Sequence, residues 1–180
     1  MKKGKQTRAM SLARRLAGVW VSACLAATPV LAQGLEQRDG AEAAARFSAE
    51  IEALISAMPV ERESYEVRIN RCTDPQGGLE NSVYAVWIGA RLVTTDSHHA
   101  DDVVVEQAGR WRDAGWEITR DRKIENSGAN LAAVDRESGA SYVLDSGFRP
   151  DPERYVVGFF TTACFEDPSG TAPFGAVDLD

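Results

Sequence analysis

Cysteine, histidine and tryptophan carry most of the chemistry available to this chain, which has 3 Cys, 2 His and 4 Trp. Cys24 follows Val21-Ser22-Ala23, the pattern of a bacterial lipobox, in which the Cys thiol takes a diacylglycerol and becomes the new N-terminus. His98 and His99 are followed by Asp101 and Asp102. His98 and Asp102 stand four apart, so on a helix they share a face and could offer two donors to a metal. Two donors do not make a site, and no other ligand cluster accompanies them. The plainer reading is a polar helix start with its acids near the positive end of the helix dipole. No Gly-x-Ser-x-Gly, His-Glu-x-x-His or phosphate-binding glycine loop supplies a nucleophile or base. Asp101/Asp102 and Glu166/Asp167 are neighbours in sequence and point apart, so neither pair is an acid–base dyad. The turn from Asp74 to Gly78 lacks the oxygen spacing of a calcium loop. Trp87, Trp111 and Trp116 could line a ligand groove, but they sit within apolar patterns that suit core packing. The sequence therefore nominates no catalytic, cofactor-binding or metal residue, and no cofactor.

The N-terminus carries an address. Residues 1–15 hold six cations and no acid, and an apolar run extends from Leu16 to Ala32. A basic stretch, an apolar stretch and small residues before Gln33 form the pattern of a secretory signal peptide, with cleavage expected after Ala32. The apolar run is short for a bilayer span and is broken by Pro29. Lipidation at Cys24 is the alternative, which would anchor the chain to the outer face of the cytoplasmic membrane.

Cleavage changes the charge. The whole chain has a net charge of −7; without residues 1–32 it has 14 cations against 27 acids, or −13. Such a chain has no basic surface for nucleic acid or anionic lipid, so membrane contact is expected only through the signal peptide or a lipid at Cys24. The remaining 148 residues suit one domain. Two cysteines remain, Cys72 and Cys164, and an even pair in an exported chain reads as one disulfide.

The elements that must position these residues follow from periodicity. Ala44, Phe47, Ile51, Leu54, Ile55 and Met58 form a helical stripe between Asp39 and Met58, with Asp39 and Glu42 as a capping box and Pro59 as the stop. Residues 33–38 are then a spacer. Tyr65, Val67 and Ile69 alternate with polar residues in a strand that ends at Cys72, and residues 82–93 form a second strand. A second helix carries Ala100, Val104, Ala108 and Trp111, capped by Asp96 or Ser97. It stops at Gly115, with Trp111 and Trp116 placed to touch across a Schellman stop. A strand from Trp116 to about Lys123, a hairpin of 129–136 with 141–145, and a strand from Arg154 to Cys164 complete the domain over 39–165. The last strand is apolar on both faces, as a central strand would be. Residues 166–180 read as a flexible acidic tail. The pattern predicts an α+β fold: an antiparallel sheet of about five or six strands with two helices packed on one face. The alternative is a ferredoxin-like split βαβ arrangement, in which the strand before the second helix pairs in parallel with another.

The order of signal segment, amphipathic helix, strand ending in Cys72, Gly-rich turn, Asn81-Ser82-Val83, helix closing at Ala114-Gly115-Trp116 and last strand ending in Thr162-Ala163-Cys164-Phe165 resembles the small actinobacterial lipoproteins and secreted proteins of the LppA type. The resemblance implies an extracytoplasmic protein, often lipid-anchored, and carries over no functional residue except the cysteines. The expected function is that of an exported acidic binding module of the cell envelope or medium. Its partner would be an envelope protein or a small ligand, met through the second helix and the Pro/Gly-rich loops. An extracytoplasmic hydrolase is the alternative. A concave pocket with convergent polar groups would favour the hydrolase, and a flat exposed apolar patch the binding module.

Overall fold

Asp39 caps the first helix. Its backbone is extended and its carboxylate accepts the Glu42 amide at 2.9 Å, which satisfies one orphan donor of helix α1, Gly40–Ser56. The computed structural model describes residues 35–73, 78–95, 98–124, 128–147, 153–170 and 174–179. The signal segment, Cys24, Ala32, Asp96, Ser97 and most of the turn between Thr73 and Gly78 lie outside the described residues.

The buried stripe of α1 is Ala43, Ala44, Phe47, Ile51 and Ile55, at the helical spacing. Strand β1, Val60–Thr73, begins five residues before the alternation does. Its first turn-length is polar, yet Val60 pairs with Thr94 because the partner strand β2, Leu79–Thr94, is long enough to recruit it. A register shift between Arg62 and Ser64 lets Glu63 bulge from the ladder.

Helix α2, Ala100–Asp113, starts with His99 as N-cap and no side-chain cap. The sequence expects Asp96 or Ser97 there. The backbone supplies the bond instead: Ala100 donates to the Glu153 carbonyl at 2.7 Å. The stop matches its sequence signature. Gly115 is left-handed at φ +80°, Gly115 donates to the Arg112 carbonyl, and Trp116 donates to the Trp111 carbonyl, both at 2.9 Å.

Strands β3 (Glu117–Ile124), β4 (Gly128–Val134), β5 (Ser141–Ser146) and β6 (Tyr155–Thr161) follow, with two-residue strands β7 (Phe165–Glu166) and β8 (Gly175–Ala176). The turn between β4 and β5 is organised by Asp135, which accepts from the Glu137 amide and the Ser138 hydroxyl.

The fold is α+β with two helices and an open antiparallel sheet. The sheet has eight strands in the order β3-β4-β5-β6-β2-β1-β8, with β7 on β2. The expected five or six strands omit β7 and β8, which are too short to leave a periodic signature. Every pairing of β2 is antiparallel, so the split βαβ alternative is not adopted; the chain reaches β3 from β2 by crossing β6, β5 and β4.

The described part of the expected free tail is tied down. Arg38 donates to the Glu166 carbonyl and Val177 to the Val67 carbonyl, each at 2.9 Å. The buried Asp167 carboxylate accepts the Gly40 amide at 2.9 Å. A polar composition hides these bonds from a reading by hydrophobicity.

Alternate strand residues build the core. Val67, Ile69, Val86, Ile88, Leu92, Leu131, Leu144, Val156 and Phe160 form one buried cluster with Phe47, Ile51 and Ile55 of α1 and Val103, Val104, Ala108 and Trp111 of α2. No helix among the described residues is long and apolar enough to cross a membrane.

Candidate functional site

The residues between the core positions of the strands meet in register across the middle of the sheet. Gly89 of β2 pairs with Phe159 of β6, Phe159 with Val143 of β5, and Val143 with Ala132 of β4. The next row runs Arg91, Val157, Asp145, Asn130 and Arg122 from β2 to β3. Because side chains alternate along strands, both rows point away from the cluster that contains the helices.

Trp87 and Phe159 form the centre of this surface. Their ring centroids are 5.9 Å apart with planes inclined by 30°. Phe159 is 38% exposed, and Trp87 is half-buried. A Cβ on Gly89 would stand 2.4 Å from the Trp87 indole, so the missing side chain lets the ring lie against the strand.

Charged groups flank the aromatic pair. Arg91 stacks its guanidinium 4.0 Å over the Tyr155 ring and reaches Glu63 at 2.7 Å, and the Tyr155 hydroxyl donates to Glu63 at 3.3 Å. Arg68 pairs with Glu66 at 2.8 Å. On the other side, Arg120 donates to the Asn130 side chain at 2.9 Å. Burial raises the Asp145 carboxyl above the usual carboxylate range, although Arg120 and Arg122 oppose the shift. One Asp145 oxygen is buried with no hydrogen-bond partner among the described residues.

The other candidates separate. Trp111 and Trp116 stack at 5.3 Å, and Trp116 lies 4.2 Å from the Tyr142 ring. They are core and core margin, whereas Trp87 belongs to the opposite surface. Burial, with Glu50 and Asp135 adding to it, pushes the Tyr142 phenol up to about 12, which keeps it protonated. His98 sits 3.1 Å from the Thr95 carbonyl, and His99 lies 3.9 Å from Glu153. Asp101 meets Lys123 at 3.3 Å. Among the described residues, no three His, Cys, Asp or Glu side chains are grouped to hold a metal ion.

Cys72 and Cys164 stand at disulfide distance, with sulfurs 2.09 Å and Cα atoms 6.3 Å apart. The pair joins the end of β1 to the segment between β6 and β7, beside Val83 and Ala85.

A cleft of about 570 Å³ lies where α1 meets β1 and the chain near Leu179. Its polar groups converge on each other. Arg62 pairs with Glu52 at 2.5 Å and covers the Tyr65 ring at 4.9 Å, while Tyr65 shares a 3.0 Å hydrogen bond with Ser48. Burial raises the Tyr65 phenol. These contacts seal the helix to the sheet edge.

Phe159 has no signal of its own in the sequence, because Tyr155 to Phe160 reads as apolar on both faces. The strand is central, as that pattern implies, but its second face is only half-covered. Comparison with family models, curated proteins and solved structures finds no match for this chain.

Proposed function

We propose that this chain is an exported acidic interaction module of the cell envelope or medium, and that both helices cover one face of its sheet while the helix-free face makes the contact. The observation that carries this reading is the Trp87–Phe159 pair, held on the sheet rather than folded into the core. Large aromatic side chains presented on a rigid strand are the anchors that dominate protein interfaces. A half-exposed apolar row framed by arginines has the anatomy of a contact surface, with an apolar centre and a polar rim. This moves the contact region away from α2. The outer side of that helix carries Asp102, Glu106 and Arg110, and Val105 is its only large exposed apolar residue.

Export rests on the charged and apolar pattern of residues 1–32, with release after Ala32 or an anchor at Cys24 as its two outcomes. N-terminal sequencing of the native protein separates them: a start at Gln33 supports release, and a blocked start at Cys24 supports the anchor.

A photoreactive phenylalanine placed at position 159 tests the contact surface in intact cells, with position 105 on α2 as control. The reading expects a discrete cross-linked species from 159 and none from 105. Adducts from 105 alone, or from neither site, would overturn it.

A further inference from the structure

We propose that the occupant of this sheet face is a second copy of the same chain, packed face to face about a twofold axis that runs along the strands. The inference rests on the reading of that face as the contact surface.

The two ends of the face differ in charge. At the β1 end, Glu61, Glu63 and Glu66 outnumber Arg68 and Arg91. At the β3 end stand Arg120, Arg122 and Glu117, the last paired with Arg136 at 3.2 Å, with Asp145 two strands inward, so arginines outnumber carboxylates there by one. Arg122 makes no hydrogen bond or ion pair among the described residues and acts on Asp145 only through space. The apolar row of Ala132, Val143, Val157, Phe159 and Trp87 lies between these ends. The face is thus acidic at one edge, apolar in the middle and basic at the other edge.

Such a gradient is self-complementary under one twofold axis and self-repelling under another. An axis along the strands places the β3 end of one copy over the β1 end of its partner, so each arginine pair meets an acidic edge, and the contact occurs twice. An axis across the strands would place like ends together. Isologous twofold pairing is also the commonest way identical chains associate. Face-to-face sheets with strands aligned within about 30° are a standard packing, and it brings the central aromatics of the two copies together.

The area is sufficient for a reversible dimer. Six strands spaced about 4.8 Å, each contributing about six residues of about 3.3 Å, outline roughly 500 Å² per copy. The pair buries about 1,000 Å², the lower bound of specific interfaces. The rest of the surface is strongly acidic, which disfavours other modes of self-association.

Sedimentation equilibrium of the protein purified as its cells produce it tests the proposal, with circular dichroism confirming that each variant folds. The wild type is expected to dimerise reversibly, more weakly at high salt. Phe159→Glu, and separately the double variant Arg120→Glu/Arg122→Glu, are each expected to weaken the dimer at least tenfold. The double variant Glu61→Arg/Glu66→Arg is expected to do the same. Mixing the two double variants restores association, because each chain then offers the edge the other needs. A wild type that stays monomeric at several hundred micromolar, or a mixture no tighter than its components, would overturn the proposal. If the wild type is monomeric while position 159 still cross-links to a different protein, the second copy is the wrong occupant and the contact surface stands. If position 159 cross-links to nothing, both fail.

Discussion

The Trp87 ring lies 5.9 Å from the Phe159 ring, and the two residues meet only because β2 pairs with β6. Gly89 lies beneath the indole, and Gly158 occupies the corresponding place on the core side, against the Phe160 ring. Two glycines of one sheet therefore make room for two aromatics on opposite faces.

Alanine at these two glycines should behave differently. A Cβ at Gly158 would meet Phe160 at 2.6 Å, and Phe160 is fully buried, so the ring cannot withdraw. Gly158→Ala is expected to cost about 1–3 kcal/mol as an overpacked core. At Gly89 the obstructing ring borders solvent and can swing outward. Gly89→Ala should leave the denaturant midpoint nearly unchanged but increase acrylamide quenching of tryptophan fluorescence. Equal losses of stability would contradict the placement of Trp87.

Asp167 fastens the C-terminal segment to the start of α1. It accepts the Ser169 hydroxyl at 2.5 Å, the Ser169 amide at 2.8 Å and the Gly40 amide at 2.9 Å. These bonds, the Ser169 hydroxyl first, hold its carboxyl below the usual carboxylate range. A lowered folded pKa adds stability above the unfolded value, about 3.9, and that contribution is lost as pH falls through the folded value. Asp167→Ala is expected to cost about 1–3 kcal/mol at pH 7. Thermal melts at pH 7 and near pH 2.5 should show the penalty shrinking in acid.

Asp145 works in the opposite sense. Burial raises its folded pKa, so its contribution is best at low pH and worsens as pH rises through the folded value. Asp145→Asn should raise the melting temperature at pH 7 and leave it nearly unchanged at pH 3. A neutral-pH loss would mean that Asp145 is a paired carboxylate rather than a desolvated one.

The Cys72–Cys164 pair closes a loop that holds β2, α2 and β3 through β6. Chain-entropy reasoning gives about 4.6 kcal/mol for so long a loop, and typical measured bridges contribute about 2–4 kcal/mol. Reduction and Cys164→Ala should each lower the denaturant midpoint while leaving a cooperative transition, because the core cluster lies apart from the cysteines. Identical midpoints for all three forms would show that the bridge is energetically idle.

What the sequence reveals here is local. The Asp39 cap, the stripe of α1 and the Trp111–Trp116 stop each depend on residues within a few turns of one another, and each is legible before the fold is known. The hairpin around Glu137-Ser138-Gly139 is legible for the same reason. The start of α2 is not, because Ala100 bonds to a carbonyl of Glu153, far along the chain. Nor is the docking of Asp167 and Val177, which depends on backbone groups of α1 and β1. The candidate site is the extreme case. An apolar run in β6 states that both faces of the strand are apolar, but not that Phe159 stands partly exposed while Phe160 is fully buried, which depends on what packs against each side.

Side-chain footprinting on intact cells addresses the central claim most directly. Carbene labelling of the protein in its native envelope or medium, compared with the purified protein at nanomolar dilution, reports which surfaces are covered in use. The account predicts strong protection of Trp87 and Phe159 in the native setting, with Val105 and Leu35 labelled equally in both. Equal labelling of Trp87 and Phe159 in the two samples, or protection confined to α2, would contradict it.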